Sequence, residues 1–158
     1  MTSGMAKDLT LRVNGLNGFF DRLLEGWSGS LLLLTLRIYV GWAFFHSGML
    51  KVSNWPATLA LFHDEYKVPI LPPDIAAYAG AFGELFFPVL IFGGLLTRPA
   101  ALGLFVVNAI AVLSYPQLFT FECPAAINQH IEWGMALLLL AAFGAGRISL
   151  DALFADKR

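Results

Sequence analysis

Four apolar stretches, each about as long as a membrane-spanning helix, limit what this sequence can fold into. They cover roughly residues 30–51, 74–96, 99–117 and 128–147. A helix needs about 20 mostly apolar residues to cross the hydrocarbon core of a bilayer. At 58% hydrophobic and 13% charged residues, the chain is too apolar for a soluble domain of its size. We therefore expect one all-α membrane domain, residues 1–158, built as an antiparallel bundle of four transmembrane helices.

The placement of Lys and Arg predicts how this bundle is oriented. In four antiparallel spans, both termini and the turn at 97–98 share one side of the membrane. That side carries Lys7, Arg12, Arg22, Arg98, Arg147, Lys157 and Arg158, whereas the other side has Lys67 and, at its boundary, Lys51. The positive-inside rule places both termini in the cytoplasm.

The net charge of the chain is −1, so it has no overall positive charge that would attract nucleic acid, and no nucleic-acid partner is expected.

The segments outside the spans also carry recognisable patterns. Residues 9–26 place apolar side chains at helical spacing, which predicts an amphipathic helix in the cytoplasmic interface; the alternative is a partly ordered tail. The first apolar run starts late and reaches full spanning length, so no cleavable signal peptide is expected. In the outward loop at 52–73, Asn54 before Trp55 and Pro56 is typical of a helix start and predicts a short helix resting on the membrane.

The first span contains Arg37, His46 and Lys51, which are costly inside a bilayer. At about 100° per residue, five residues of this helix fall on one stripe along its surface, namely Arg37, Gly41, Phe44, Gly48 and Lys51. His46 lies on the opposite side of the helix. Because glycines let another helix approach closely, we expect the stripe to pack on a neighbouring helix rather than to face lipid.

Glu84 in the second span should pair with one of these cations, since a lone carboxylate there must be paired or protonated. Counting about 1.5 Å per residue, Glu84 lies about 13 Å and Arg37 about 21 Å from the outer ends of their helices. Side chains lean toward the N-terminus of their own helix, so Lys51 leans toward Glu84 and Arg37 leans away. We therefore predict a Lys51–Glu84 pair, direct or through water, and an Arg37 side chain that extends to the cytoplasmic interface. A pair that only fastens the bundle is the alternative to a functional role.

Pro88 lies four residues after Glu84 and cannot donate a hydrogen bond to the Glu84 carbonyl oxygen. The second span should therefore kink, leaving a backbone acceptor that needs a partner inside the membrane. The partner can be protein, water or a ligand, and Asn108 of the third span, at a similar depth, could supply it.

The histidines raise the question of a haem or metal site. His130 and Glu132 open the fourth span about 200° apart on the helix, so both cannot face one small ligand. His46 and His130 lie at similar depths on different helices, and a haem, or a metal site with His63 or Cys123, is an alternative. Isolated histidines without ligand spacing give this alternative weak support, so no metal ligands are assigned. Cys123 is the single cysteine and has no disulfide partner in the chain.

Two motifs resemble a known family. The pattern R-x3-G-x4-H-x-G-x2-K, from Arg37 to Lys51, resembles the first span of the DoxX family. The stretch GELFFPVLIFGGLLTRPAAL, from Gly83 to Leu102, resembles its second span and the turn into the third. The resemblance covers roughly residues 31–115 and implies a small four-helix protein of the bacterial inner membrane. The motif positions that it carries over are Arg37, Gly41, His46, Gly48, Lys51, Glu84 and Arg98.

The resemblance implies a role in membrane redox chemistry. The family takes its name from a subunit of a thiosulfate:quinone oxidoreductase, and other members are linked to redox complexes that handle thiols or oxidative stress. The first hypothesis is therefore a subunit of a quinone-linked redox complex. A partner subunit would deliver the electrons, because the chain has no obvious electron carrier. The candidate catalytic residues are Glu84, Lys51 and His46, and the candidate cofactor-binding residues are Arg37, Asn108 and His130.

Two other functions are compatible with the sequence. One is a non-catalytic membrane anchor or scaffold that docks a soluble redox or metal-handling partner on the two outward loops. The other is a small transporter, for which four spans are few, so that it would require a homo-oligomer. The sequence leaves enzymatic activity open.

Overall fold

All regular structure is helical in the computed structural model, across the part of the chain that it describes: residue 18 and residues 26–119 and 125–155. The elements are α1 (Trp27–Ser53), α2 (Trp55–Asp64), α3 (Pro73–Gly93), α4 (Thr97–Ser114), a 3-10 turn (Pro116–Phe119), α5 (Ala125–Phe143) and α6 (Leu150–Ala155). Apart from residues 18 and 26, the amphipathic helix predicted at 9–26 lies outside the described residues, as does Cys123.

Three of these helices are long and apolar enough to cross a membrane, namely α1, α3 and α4. They correspond to the first three predicted spans, so the predicted all-α membrane class is confirmed. Helix α5 has 19 residues and lies where the fourth span was predicted. Its first two turns contain Asn128, Gln129, His130 and Glu132, which make it more polar than the other three.

The four long helices pack in a ring, in which α1 contacts α3, α3 contacts α4, α4 contacts α5 and α5 contacts α1. The interior is formed by Val40, Phe44, Ile91, Ala100, Leu104, Leu137 and Leu140. The glycine stripe of α1 faces α3 as predicted, with Gly41 against the ring of Phe92 and Gly48 against Leu85. A Cβ atom at Gly48 would lie 2.9 Å from Leu85 Cγ, so only glycine allows the two helices to approach this closely.

The connection between α3 and α4 is the three-residue turn 94–96, where the sequence predicted a turn at 97–98. Gly94 adopts a left-handed conformation with φ of 63°, and its N–H donates to the Ile91 carbonyl oxygen at 3.1 Å. This arrangement is a typical glycine cap at a helix end. It ends α3 at Gly93, whereas the apolar run continues to residue 96. The helix continues without interruption through Pro88.

The short helix predicted after Asn54 is confirmed as α2. Asn54 Oδ1 accepts a hydrogen bond from the Ala57 N–H at 3.3 Å, which caps the start of the helix. Thr58 Oγ1 donates to the Lys51 carbonyl oxygen at 2.8 Å and holds α2 against the end of α1. Phe62 is buried on the first turns of α3. Helix α2 therefore crosses the end of the ring where α1 ends and α3 begins, which we name the α2 end.

Arg37 lies toward the opposite end of the ring, which we name the Arg37 end, and is only 1% exposed. Its guanidinium donates to the carbonyl oxygens of Ile91 (2.7 Å), Phe92 (2.6 Å), Ala145 (3.0 Å) and Ile148 (2.7 Å). These carbonyls belong to the end of α3 and the segment after α5, where the helix no longer supplies its regular N–H donors, and that of Ile91 also accepts from the Gly94 N–H. The predicted extension of Arg37 to the interface is therefore wrong, because these buried acceptors take the place of water.

Asp151 of α6 closes the start of α4 at the same end. Its carboxylate accepts hydrogen bonds from the N–H groups of Leu96 (2.8 Å) and Thr97 (3.0 Å). Burial by itself would raise the pKa of Asp151, but the hydrogen bonds from Thr97 and Leu96 outweigh burial and lower that pKa below its usual value. The sequence did not predict α6, because a helix of six residues is too short to show a helical periodicity of apolar residues.

Replacing Arg37 by Met should destabilise the protein strongly. The carbonyl oxygens of Phe92, Ala145 and Ile148 would lose the donor that Arg37 provides. Each buried acceptor without a partner costs roughly 1–3 kcal/mol. We expect a loss of about 3 kcal/mol or more, measured as a lower unfolding midpoint of the purified protein in detergent. The control is Arg147→Met, which removes an exposed side chain. Equal midpoints for the two variants would contradict the anchoring role of Arg37.

Candidate functional site

The predicted pair between Lys51 and Glu84 is confirmed as a direct ion pair. Lys51 Nζ lies 2.6 Å from Glu84 Oε2, and the side chains are 15% and 9% exposed. Nζ also donates to Ser47 Oγ at 2.9 Å, one turn earlier on α1. Close packing of Gly48 on α3 brings the backbone of α1 next to the Glu84 side chain. The pair is therefore nearly removed from solvent and held on two helices that pack tightly.

A cavity of about 150 Å³ adjoins the ion pair at the α2 end. It lies between α3 and α4, below α2 and the segment 65–72. Small residues on one face of α3 leave this space open. The lining residues are Lys51, Phe62, Tyr66, Val68, Leu71, Ala76, Ala79, Gly80, Glu84, Val107, Ile110, Ala111 and Ser114. The site is thus mostly apolar, with a few polar groups.

Several of those polar groups have unused hydrogen-bonding capacity. Two N–H groups of Lys51 are engaged, which leaves the third free, and Glu84 Oε1 accepts no hydrogen bond from a described residue. Ser114 is 2% exposed, and its Oγ has no partner among the described residues. Such buried groups are normally satisfied by protein, by water or by a ligand. The cavity therefore has two donors and an acceptor available to a bound molecule.

Tyr66 lies in the wall of the cavity that α2 and its following loop provide. Its ring packs edge-on against Phe62 and Tyr115, with centroid separations of 4.9 Å and 5.1 Å. Burial raises the pKa of the Tyr66 hydroxyl, and the Glu84 carboxylate raises it further. Tyr66 therefore keeps its proton at neutral pH and can donate a hydrogen bond.

This arrangement suits a small, flat, polar head group. A cavity of roughly 150 Å³ in a protein interior can hold one benzene-sized ring. Lys51 can donate to an oxygen of such a ring from one side and Ser114 from another. Glu84 can exchange a proton with it, since a carboxylate beside an ammonium group in a poorly solvated site has a short path to the ligand.

The other predicted site residues lie outside the cavity. His46 is exposed on α1, where its ring stacks on Trp42 at 6.3 Å between centroids. Asn108 was predicted to satisfy the Glu84 carbonyl oxygen, and this prediction is wrong because Asn108 pairs with His130 instead. Its Nδ2 donates to the His130 carbonyl oxygen at 2.9 Å, and its Oδ1 lies 2.8 Å from His130 Nδ1. Both amide atoms are therefore engaged between α4 and α5.

Arg37 is also remote from the cavity. It precedes Lys51 by fourteen residues of α1, which corresponds to about 21 Å along the helix. Its donors are directed at the backbone of the Arg37 end. Of the predicted catalytic and cofactor-binding residues, the structure thus brings Lys51 and Glu84 together at the cavity and joins Asn108 to His130 outside it.

Ser114 and Tyr66 were missed by the sequence interpretation. Ser114 follows Val107 and Ile110 at helical spacing on α4, so a polar residue on an otherwise apolar face was visible in the sequence. Tyr66 lies in a loop, and no periodic pattern indicates where a loop side chain points. Among the described residues, no three His, Cys, Asp or Glu side chains come together as ligands for a metal ion.

The fold and the site define a helical membrane protein with a buried ion pair beside an apolar cavity. Residues 32–122 match the DoxX family. An uncharacterized protein of Haemophilus influenzae is 33% identical over 138 residues, which is 84% of this chain and 89% of that protein. The chain therefore belongs to the DoxX family. No solved structure matches it significantly.

The ion pair should contribute to stability through the coupling of its two charges. Breaking a buried pair by removing one partner costs about 3–5 kcal/mol, whereas replacing both partners costs much less. We expect Lys51→Met and Glu84→Met each to lower the free energy of unfolding by at least about 2 kcal/mol, given the partial exposure of Lys51. The double variant should lose clearly less than the sum of the two single losses. Additive losses in chemical unfolding experiments would contradict a coupled pair.

Proposed function

We propose that this protein is a multi-pass subunit of a quinone-linked redox complex in the bacterial inner membrane, and that its cavity binds the quinone ring. The observation that carries the proposal is the apolar cavity of about 150 Å³ between Lys51, Glu84 and Ser114, whose hydroxyl has no partner in the described part of the chain. Membership of the DoxX family supports a membrane role, and the geometry at the α2 end supports the choice of ligand.

The proposed topology is an antiparallel bundle in which α5 is the fourth span. Both termini then lie in the cytoplasm, on the side of the Arg37 end, where Arg98 and Arg147 are also found. The α2 end, with the cavity, faces the outside. A partner subunit is part of this proposal, since the complex needs a source of electrons and this chain has no obvious electron carrier.

The residues in the cavity fit a quinone ring. Each of its two carbonyl oxygens requires a hydrogen-bond donor, and the ring requires an apolar slot. Lys51 and Ser114 supply donors, with Tyr66 as a further one, while Phe62, Val107 and Ile110 supply apolar contacts. The volume admits the ring, so a longer substituent must lie outside the cavity.

A bound quinone supplies two-electron redox chemistry, in which it takes up two electrons and two protons to become a quinol. Within the proposal, Lys51 and Ser114 would orient the ring, and the Glu84 carboxylate would accept a proton from the outer side and pass it to a ring oxygen. The second proton reaches the cavity from the outer side, on which Tyr66 lies. A partner subunit donates the electrons. His46 has no part in this mechanism, because it lies on another face of α1.

The proposal is tested by titrating the purified protein with a short-chain benzoquinone while following Trp fluorescence. Trp55 is a suitable reporter, because it packs against the cluster that contains Phe62 of the cavity wall. We expect saturable quenching with the native protein. Glu84→Gln should raise the Kd at least about tenfold, because it removes a charged partner of the head-group site.

Glu132→Gln is the matched control, since it makes the same change at an exposed position of α5. It should bind the quinone like the native protein. Equal binding by Glu84→Gln and Glu132→Gln would rule out Glu84 as part of the site. Quenching that never saturates in the native protein would favour the second hypothesis, a non-catalytic anchor for a soluble partner.

A further inference from the structure

Two residues of the cavity lining, Ala79 on α3 and Ile110 on α4, are exposed, and we take the mouth of the cavity to lie between them. Its exposed lining residues include Leu71, Ala79 and Ile110, which are all apolar. Ala79 and Ile110 belong to α3 and α4, which are long and apolar enough to span a membrane. At 1.5 Å per residue, Ala79 lies about 9 Å from the start of α3 and Ile110 about 6 Å from the end of α4. Exposed apolar side chains at this depth contact acyl chains. The mouth of the cavity therefore faces the bilayer.

The polar groups of the cavity are buried, unlike the residues at its mouth. Glu84 and Ser114 are 7% and 2% exposed, and Lys51 is tied to Glu84. A molecule entering from the mouth thus meets apolar walls first and hydrogen-bonding groups last. This gradient of polarity matches a molecule with a polar head and an apolar tail.

The route from water is covered by α2 and the loop that follows it. Phe62 is buried, and Tyr66 packs between Phe62 and Tyr115. The loop is fixed to the end of α4, because the Lys67 N–H donates to the Ser114 carbonyl oxygen at 2.8 Å. Access from the bilayer is therefore the more open of the two routes.

We propose that the ligand is an amphiphile that enters sideways from the bilayer between α3 and α4. Its head group lies between the Lys51–Glu84 pair and Ser114, and its tail leaves past Ala79 and Ile110 into the lipid. The inference rests on the proposed function for the identity of the head group, a quinone ring. It adds the entry route, the position of the tail and the role of Ser114 as an anchor of the head group.

The test compares two benzoquinones with the same ring, one carrying a decyl chain and one a methyl group in its place. The full-length protein is reconstituted in phospholipid nanodiscs, and Kd values are expressed relative to the quinone concentration in the membrane. Ala79→Phe narrows the mouth of the cavity. Ala142→Phe is the matched control, because it adds the same bulk to an exposed alanine of α5 outside the cavity.

We expect Ala79→Phe to raise the Kd of the decyl quinone at least tenfold and that of the methyl quinone by a smaller factor. Ala142→Phe should leave both values within twofold of the native protein. Ile110→Phe tests the same opening from α4, in case Ala79→Phe lowers the unfolding midpoint. Ser114→Ala should raise the Kd of both quinones about three- to tenfold, because it removes one hydrogen bond to the head group.

The outcomes separate this inference from the proposed function. If both mouth variants bind the decyl quinone as the native protein does, while Glu84→Gln loses binding, the lateral route is wrong and the quinone site stands. Unchanged binding by Ser114→Ala would rule out Ser114 as an anchor. If neither quinone binds the native protein saturably, the proposed function fails, and this inference fails with it.

Discussion

A charge or a backbone acceptor that water cannot reach needs a hydrogen-bond or ion-pair partner within the protein. Both ends of the ring are built around such pairs. At the Arg37 end, one guanidinium serves four carbonyl oxygens, and Asp151 serves two N–H groups at the start of the next helix. At the α2 end, Lys51 and Glu84 neutralise each other. The two ends differ in whether a cavity adjoins such groups. At the α2 end, the cavity adjoins an N–H of Lys51, an oxygen of Glu84 and the hydroxyl of Ser114, which have no partners among the described residues.

This difference explains why the candidate site lies at the α2 end. Arg37 directs four hydrogen bonds at backbone carbonyls, so it holds the fold together and offers little to a ligand. A buried pair beside a cavity can bind a third group at little extra cost in desolvation, because the protein has already removed the charges from water. Small residues on α3 provide the space, and α2 covers one side of it. The space for a ligand and the proposed access from the lipid thus depend on the same local packing.

Much of this architecture was predictable from the residues. The three spans follow from apolar length, the packing face of α1 follows from its two glycines, and the cap of α2 follows from Asn54. The Lys51–Glu84 contact followed from depth and from the direction in which helical side chains lean. These features depend on one helix, or on two helices whose antiparallel relation is already known, so that local geometry is enough to place them.

The remaining features depend on where a third element lies, and the sequence does not specify this. Nothing in the sequence places the carbonyls of residues 145 and 148 beside Arg37, or His130 opposite Asn108, because both contacts join segments distant in the chain. The cavity is likewise a gap between α3, α4 and α2, and a gap has no sequence pattern. The sequence by itself determined a helical membrane protein with one buried ion pair. Only the tertiary structure decided which polar groups are satisfied and which are left for a ligand, since hydrogen-bond satisfaction is a property of the packed chain.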